Sequence, residues 1–190
     1  MENITGKIIM LTAPSGAGKT SITKYLLQDF PQLSFSVSAA TRKPRGNEVN
    51  GKDYYFMSED EFKQKIADEE FVEWEMVYEG NYYGTLKSEI YRMWKEGLVP
   101  VLDIDVKGAI HVSSIFGKVC LSLFIQAPSI DELRKRLESR NTDSKENIDI
   151  RINKASYELS FKDKFDAIII NDDLAKAQQQ AKVLVERFLE

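Results

Sequence analysis

The feature that most constrains the fold of this chain is a short glycine-containing segment near the N-terminus, Ala13-Pro-Ser-Gly-Ala-Gly-Lys-Thr20. It follows an apolar run at 7–12 and precedes a stretch at 21–30 whose apolar residues recur at helical spacing. This order predicts a strand, a tight loop and an amphipathic helix. It is the context that a phosphate-binding loop requires.

The residue types in the segment suit polyphosphate. Gly16 and Gly18 allow the backbone to curl so that successive N–H groups point toward an anion at the positive end of the following helix. Lys19 supplies a charge for the outer phosphates, and Thr20 supplies a hydroxyl ligand for Mg²⁺. Ala13 stands where the usual pattern has its first glycine, which requires a negative φ at that position. The alternative interpretation is a glycine-rich turn followed by a surface lysine.

Composition indicates a globular protein of a reducing compartment. The chain has 190 residues, of which 43% are hydrophobic and 29% charged, and a formal net charge of -4. This length suits one α/β core with a small insertion, and the acidic balance argues against a surface that coats nucleic acid. The apolar runs are too short to span a bilayer and no leader-like segment opens the chain, so no membrane partner is expected. The single cysteine, Cys120, excludes an internal disulfide and favours the cytoplasm; a homo-oligomer is compatible with these observations.

Strand-like and helix-like patterns alternate through most of the chain. The strand-like runs lie at 7–12, 33–37, 98–102, 119–125 and 165–170. Apolar residues at helical spacing separate them, at 106–110, 133–137, 148–159 and 174–188. Such alternation predicts a parallel sheet covered on both faces. We therefore expect an α/β, three-layer fold of the P-loop NTPase type with a five-stranded parallel core sheet.

The stretch from 38 to 85 breaks this alternation and predicts a small mixed β-sheet inserted between core strands. It contains an alternating segment at 54–57, a short helix with Phe62 and Ile66, and a hairpin at 71–78 that turns at 79–81. Ligands of open parallel sheets bind beyond the carboxyl ends of the strands. The insertion is therefore expected to overhang the phosphate loop.

Two arginines of the insertion are suited to binding a second phosphate. Arg42 and Arg45 flank a proline that stiffens their loop, and each guanidinium is a planar fork that can bind phosphate oxygens at two points. Tyr54 and Tyr83 add hydroxyl donors without adding charge. Taken alone, Arg-x-x-Arg in a loop is more often a solvated surface. Its place opposite a phosphate loop favours a binding site.

Several motifs stand in a fixed order over nearly the whole chain. They are Ala13 to Thr20, Ser36-Val-Ser to Asp53-Tyr54, Phe71-Val-Glu-Trp74, Gly80-Asn-Tyr-Tyr-Gly84, Leu102-Asp-Ile-Asp105, Arg136-Leu-Glu-Ser-Arg140 and Asn171-Asp-Asp173. Together these motifs resemble the guanylate kinase family. The resemblance implies a nucleoside monophosphate kinase that transfers the γ-phosphoryl of ATP to GMP, and to dGMP, in purine nucleotide metabolism. It also implies Mg²⁺ as the cofactor and the two nucleotides as the small-molecule partners.

The resemblance assigns the two substrates to separate sets of residues. The ATP-binding set is Ala13, Pro14, Ser15, Gly16, Ala17, Gly18, Lys19, Thr20 and Asn171. The GMP phosphate is assigned to Arg42, Arg45, Tyr54 and Tyr83, and the guanine to Ser38, Glu73, Thr85 and Asp105. Asp103 completes the GMP-binding set, and we expect it to orient water bound to Mg²⁺.

Guanine chemistry agrees with a carboxylate at Glu73. Guanine presents N1–H and the exocyclic amine as adjacent donors, which one carboxylate can accept, while a hydroxyl donates to O6. Adenine has an acceptor at N1, so a buried mismatch should discriminate strongly. Without the resemblance, an outward-facing residue of a hairpin is the better interpretation of Glu73.

Alternative interpretations also exist for the polar residues that follow two core strands. Asp103 and Asp105 share one strand face if the strand continues that far, and turn chemistry or helix capping explains either of them about as well. For Asn171, a helix N-cap in Asn171-Asp-Asp173 is the alternative to a contact with the ATP adenine.

The C-terminal third contains a predicted lid. Arg136 and Arg140 lie four residues apart on one helical face, and Arg151 follows the polar segment 141–146. The resemblance implies a lid at 129–151 whose arginines close over the transferring phosphoryl group. The expected catalytic residues are then Lys19, Arg42, Arg136, Arg140 and Arg151. The alternative for Arg136 and Arg140 is a surface ion pair with Glu132 or Glu138.

The chain is thus expected to be a single domain over 1–190. Its core comprises 1–37, 86–128 and 152–190, and the GMP-binding insertion comprises 38–85. Two rival functions remain: a kinase of this architecture for another phosphorylated acceptor, such as a ribose bisphosphate, and a guanylate-kinase-like module that binds a peptide in its cleft. Such a module is not expected to keep the phosphate loop, the arginine pair and the lid arginines together, which favours the enzyme.

Overall fold

The computed structural model describes residues 6–139 and 144–190. Its strands are β1 (Ile8–Thr12), β2 (Leu33–Phe35), β3 (Ala39–Ala40), β4 (Tyr55–Phe56), β5 (Phe71–Tyr78), β6 (Asn81–Leu86), β7 (Val99–Asp103), β8 (Cys120–Gln126) and β9 (Ala167–Ile170). Its helices are α1 (Lys19–Asp29), α2 (Glu59–Ala67), α3 (Lys87–Lys95), α4 (Val106–Phe116), α5 (Ile130–Ser139), α6 (Lys145–Leu159) and α7 (Leu174–Leu189). Among these helices, none combines the length and apolar character needed to cross a bilayer.

The core is a five-stranded parallel sheet in the order β2-β7-β1-β8-β9, which confirms the predicted fold class. β1 lies in the middle, and every one of its residues is buried. Because side chains alternate along a strand, Ile9 and Leu11 face one helical layer with Leu26 and Ala177, while Met10 faces the other. Helices on both faces therefore bury a strand that has no polar side, as its continuous apolar sequence requires.

A second, four-stranded sheet in the order β4-β3-β6-β5 confirms the predicted mixed sheet. β5 and β6 form an antiparallel hairpin that turns at Gly80, whose φ of 74° is readily adopted by glycine. β3 pairs antiparallel with β6 and parallel with β4. Helix α2 covers one face of this sheet and stacks Phe62 on Phe71, with ring centroids 4.3 Å apart. This sheet thus has a small apolar core of its own.

The helix α3 was not among the sequence predictions. Its buried apolar residues Ile90 and Met93 are spaced three apart, and Trp94 packs against the apolar cluster that contains Ile90 and Met10. Trp94 also donates its indole N–H to the Lys7 carbonyl oxygen at 3.1 Å. The helix is short and begins directly at the end of β6, so no turn signal separates the two elements in the sequence.

Strand ends differ from the predictions by a few residues. β2 ends at Phe35 rather than at residue 37, and β9 begins at Ala167 rather than at residue 165. The Asp166 carboxylate accepts hydrogen bonds from the Ser122 N–H at 2.8 Å and the Ser122 hydroxyl at 2.7 Å. A side chain therefore replaces a backbone partner of β8 at that point, and the strand pairing starts with Leu123 opposite Ala167.

The packing around the central strands predicts a matched pair of leucine substitutions. Leu123 on β8 is fully buried, whereas Leu174 at the start of α7 is 42% exposed. We expect Leu123→Ala to lower the free energy of unfolding by about 3 kcal/mol, because it removes buried methylene groups and leaves a cavity. Leu174→Ala should change it by less than about 1 kcal/mol. Urea denaturation of both variants tests this, and equal losses would contradict the described core.

Candidate active site

The loop between β1 and α1 has the conformation that its glycines predict. Gly16 and Gly18 have φ values of 94° and 101°, which is the left-handed region that glycine tolerates. The helix begins at Lys19, and within the described residues no side chain caps its N-terminus. In the same part of the chain the non-glycine residue with a positive φ is Glu69, so Ala13 keeps the negative φ that an alanine there requires. The N–H groups at this helix start are thus available for an anion.

Asn171, at the end of β9, supports this loop from behind. Its side chain is 5% exposed and donates a hydrogen bond to the Ala17 carbonyl oxygen at 2.8 Å. A Cβ atom at Gly18 would lie 2.1 Å from the Asn171 amide nitrogen, so this close packing requires glycine. The helix N-cap at this point is Asp173, which accepts from the Lys176 N–H at 2.9 Å, so the capping interpretation of Asn171 is wrong. Its contact with ATP stays a prediction.

Lys19 and Asp103 form an ion pair at the mouth of the loop. Asp103 is the last residue of β7, and the parallel register places it beside Leu11 of β1. The Lys19 ammonium contacts one Asp103 carboxylate oxygen. Thr20, next in the helix, is exposed toward the same space. A charged amine, a carboxylate and a hydroxyl therefore converge where the outer phosphates of a nucleotide would lie.

A cleft of about 960 Å³ opens above this loop and lies between the two sheets and α6. Four parts of the chain line it: the loop, the small sheet, the segment after β7 and helix α6. The lining residues are Ala13, Pro14, Ser15, Lys19, Thr20, Ser38, Tyr54, Glu73, Glu75, Val77, Tyr83, Gly84, Asp103, Ile104, Asp105, Asn147, Ile150, Arg151, Lys154 and Glu158. Most of the residues predicted from the sequence are thus brought to one cavity.

Glu73 is the most perturbed carboxyl group of the predicted guanine site. It lies on β5 opposite Thr85 of β6, whose buried hydroxyl donates to its Oε1 at 2.6 Å. Burial raises the pKa of Glu73 to about 7, and the nearby Asp105 charge adds to that rise, while the Thr85 hydroxyl opposes it. Ser38 lines the same cleft. A hydroxyl and a carboxyl group are therefore presented together, as guanine recognition requires.

The strand β7 ends at Asp103, so Asp105 does not share a strand face with Asp103 as predicted. Asp105 is instead the N-cap of α4 and accepts from the Gly108 N–H at 2.7 Å. The capping interpretation is therefore confirmed for Asp105, and the residue also lines the cleft. Burial, and then the neighbouring Asp105 carboxyl group, raise the pKa of Glu75 to about 7.

Arg42, which was predicted to bind the GMP phosphate, is paired with Glu48, an acidic residue that was not predicted from the sequence. Its Nη1 and Nη2 donate to the two carboxylate oxygens of Glu48 at 2.6 and 2.8 Å. The Arg45 backbone N–H also donates to Glu48 at 2.7 Å, and these bonds lower the pKa of Glu48 to about 2. The Arg42 guanidinium lies 4.6 Å from the centre of the Tyr54 ring, and Tyr83 stands edge-on to that ring. A phosphate bound here would therefore replace Glu48 as the partner of Arg42.

The predicted lid arginines fall in different places. Arg151 on α6 lines the cleft and donates from Nη1 to the Ser15 hydroxyl of the loop at 2.7 Å. Arg136 on α5 pairs with Glu132 at 3.1 Å, which is the surface ion pair weighed as the alternative. As far as the structure describes the chain, Arg136 is not part of the cleft lining. Arg140 lies outside the described residues, and the catalytic roles of all three stay predictions.

Three charged lining residues of the cleft were missed: Glu75, Lys154 and Glu158. Glu75 is two residues beyond Glu73, so the strand period alone places both on one face. Lys154 and Glu158 follow Arg151 by three and seven residues, which is one face of a helix. Burial raises the pKa of Glu158, and Lys154 lies within 3.9 Å of its carboxylate. The sequence signal that could have found these three residues is their spacing: each lies on the same face of its strand or helix as a predicted site residue.

The residues around the loop suit Mg²⁺ without forming a dedicated metal cage. Within residues 6–139 and 144–190 there is no group of three or more His, Cys, Asp or Glu side chains arranged for a metal ion. The Thr20 hydroxyl and the Asp103 carboxylate are oxygen ligands of the kind that Mg²⁺ prefers, and Mg²⁺ commonly shares such residues with substrate phosphates.

Comparison with known proteins agrees with this site. The guanylate kinase family matches residues 5–188. The guanylate kinase of Bacteroides fragilis is 50% identical over 183 residues, which cover 96% of this chain and 90% of that protein. The guanylate kinase of Bacteroides thetaiotaomicron is 44% identical and covers 100% of this chain and 93% of its own. The crystal structure of guanylate kinase from Anaplasma phagocytophilum superimposes with a TM-score of 0.72 at 28% identity, covering 99% of this chain and 89% of that chain. The chain therefore belongs to the guanylate kinase family.

Proposed function

We propose that the protein transfers the γ-phosphoryl group of ATP to GMP, and to dGMP, to give ADP and GDP. The observation that carries this proposal is that one cleft is lined both by the phosphate loop with Lys19 and by Glu73 of the small sheet, whose carboxylate accepts a hydrogen bond from the buried Thr85 hydroxyl. A donor site and a guanine site facing one cavity are what a nucleoside monophosphate kinase needs. The family relationship agrees with this chemistry.

The acceptor nucleotide is proposed to lie along the small sheet. Glu73 as the carboxylate accepts N1–H and the exocyclic amine of guanine, and the hydroxyl groups of Thr85 and Ser38 complete the polar contacts of the base. Tyr54 and Tyr83 donate to the phosphate. Arg42 and Arg45 bind the same phosphate, and Arg42 exchanges its two bonds to Glu48 for bonds to phosphate oxygens, which retain the bidentate geometry.

The donor is proposed to bind on the loop. The N–H groups at the start of α1 hold the phosphates, and Lys19 leaves Asp103 to contact the outer ones. Arg151 donates a hydrogen bond to Ser15 of the loop, which supports our assignment of this arginine to the transferring group. We assign the same role to Arg136 and Arg140, which requires α5 to approach the cleft.

The chemistry needs positioning and charge stabilisation, and no dedicated general base. A GMP phosphate oxygen is already ionised near neutral pH and attacks the γ-phosphorus in line. Lys19 and the arginines stabilise the charge on the equatorial oxygens. The Thr20 hydroxyl would hold Mg²⁺, and Asp103 would orient its water ligands; when bound, the ion neutralises charge on the donor phosphates. Enclosure of the cleft keeps water from accepting the phosphoryl group.

We also propose a role for each part of the chain. Residues 38–85 form the GMP-binding unit, 129–151 the lid, and the remainder the core that carries the loop. The cytoplasm, where ATP is available, is the proposed compartment. The purine nucleotide pool supplies the acceptor.

Replacement of Lys19 tests the donor site. We expect Lys19→Ala to lower kcat by about a hundredfold or more, because it removes a preorganised charge from the transferring phosphate. Lys24→Ala, an exposed lysine on the same helix, is the matched control and should retain the parent rate. A coupled assay of ADP release with Mg²⁺-ATP and GMP measures both. Equal kcat values for the two variants would contradict a role of the loop in the reaction.

Replacement of Glu73 tests the base site. We expect Glu73→Ala to lower kcat/KM for GMP by about tenfold to a hundredfold, because two hydrogen bonds to a charged group are lost. The preference for GMP over AMP should narrow at the same time. Glu79→Gln, on the exposed turn of the same hairpin, is the control. An unchanged ratio of GMP to AMP activity in Glu73→Ala would place guanine recognition elsewhere.

The raised pKa of Glu73 predicts that GMP binding depends on pH. The base needs an acceptor, so only the ionised carboxyl group binds both guanine donors, and this form is lost as pH falls below about 7. GMP affinity should then weaken by up to about tenfold per pH unit. The GMP phosphate also titrates near pH 6. We therefore measure GMP affinity by calorimetry from pH 6 to 8 for both the parent and Glu73→Gln, and the difference between the two pH profiles reports the Glu73 carboxyl group. Parallel profiles for the two proteins would contradict the assignment.

A further inference from the structure

The two sheets are connected by two crossings of the chain, and both crossings meet at one buried carboxylate, Glu89. The first crossing runs from β2 to β3 through residues 36–38, and the second is the junction of β6 with α3 at 86–87. Glu89 lies in the first turn of α3, just after the second crossing. Its Oε1 accepts from the Val37 N–H of the first crossing at 3.3 Å.

The same carboxylate also reaches the far edge of the small sheet. The Tyr55 hydroxyl, on the edge strand β4, donates to Glu89 Oε2 at 2.9 Å. Arg92, one turn later on α3, donates from Nε to Oε2 at 3.0 Å and from Nη2 to Oε1 at 2.9 Å. Glu89 therefore joins its own helix, the first crossing and β4 through four hydrogen bonds.

Glu89 is only 2% exposed, and its carboxylate is surrounded by these four hydrogen-bond donors. Burial alone would raise the pKa of this carboxyl group, but the bonds from Arg92, Tyr55 and the Val37 N–H outweigh burial and lower it. Glu89 is thus ionised at neutral pH. A buried charge with this many partners fixes their relative positions more tightly than an apolar contact does, because its bonds are directional and costly to leave unmade.

The partners of Glu89 are sequence neighbours of the proposed acceptor site. Val37 precedes Ser38, and Tyr55 follows Tyr54; Ser38 and Tyr54 both line the cleft. Successive side chains of an extended segment point to opposite faces, so Tyr54 faces the cleft while Tyr55 reaches Glu89. Within the described residues Glu89 is not part of the cleft lining. Glu89 therefore contacts these two segments on the side that faces away from the acceptor site.

We propose that Glu89 is a positioning residue that sets the placement of the GMP-binding sheet relative to the phosphate loop. The kinetic part of this inference rests on the proposed function. The role differs from that of an ion pair that only stabilises the fold, because loss of Glu89 should alter where the acceptor lies while the donor site on the core sheet stays intact.

The test compares steady-state kinetics of three variants. Glu89→Gln should raise the KM for GMP by about tenfold, because the acceptor is misplaced, and should leave the KM for ATP within about twofold of the parent. Tyr55→Phe removes one of the four bonds and should raise the KM for GMP by a smaller factor, about threefold. Glu96→Gln is the matched control, since Glu96 is the other, exposed partner of Arg92 at 2.7 Å and contacts neither crossing.

A second measurement reports the placement directly and needs no turnover. Spin labels at Glu61→Cys on α2 and Gln179→Cys on α7, both exposed, report the distance from the small sheet to the core by pulsed electron resonance. Cys120 is buried, which limits competing labelling. We expect the distance distribution to broaden or shift in Glu89→Gln and to be unchanged in Glu96→Gln.

The two measurements separate the possible failures. The proposal is overturned if Glu89→Gln keeps the parent's distance distribution and KM for GMP, even where its melting temperature falls. It is equally overturned if the KM values for GMP and ATP rise together with an unchanged distribution. If the parent protein does not phosphorylate GMP, the proposed function fails, and the distance measurement still decides whether Glu89 positions the sheet.

Discussion

The site depends on a backbone that has no room for a side chain at Gly18. The loop must turn from β1 into α1 with left-handed residues, and the Asn171 amide occupies the space where a Cβ would lie. That amide bonds to the Ala17 carbonyl oxygen, so the loop is held by a residue from the opposite end of the chain. β1 in turn is fixed by burial on both faces. The phosphate-binding N–H groups are therefore preorganised before any nucleotide arrives, which is what electrostatic catalysis of phosphoryl transfer requires.

Two of the cations proposed to bind substrate are already paired within the protein. Lys19 contacts Asp103, and Arg42 holds Glu48 through two bonds. A bound phosphate therefore exchanges one anionic partner for another rather than meeting an unpaired charge. This arrangement lowers the binding free energy that each phosphate contact can contribute. It also holds the side chains near their substrate-binding positions and avoids the large free-energy cost of an unpaired charge in a partly closed cleft. Substrate affinity is then set by the difference between two similar sets of bonds.

Much of the fold and part of the site could be predicted from the sequence because the signals are local. The apolar run of β1, the two glycines and the Lys-Thr pair define the loop, and the apolar strand-like runs separated by helical patterns define the core sheet. The mixed sheet followed from its hairpin pattern. Helix α3 was missed because it begins where β6 ends with no turn between them. Glu48 was missed because a carboxylate six residues from Arg42 in a loop has no periodicity to mark it.

The sequence by itself determined which groups are available: a curled loop with a lysine, two arginines in an insertion, and a carboxylate in a hairpin. Only the tertiary structure decided which of them meet. It placed Glu75 beside Asp105, brought Lys19 to Asp103, and brought Arg151 to Ser15. The physical reason is that backbone conformation and burial pattern are set by neighbours along the chain, whereas the partner of a charged side chain is set by elements that are distant in sequence and adjacent only after the two sheets have packed.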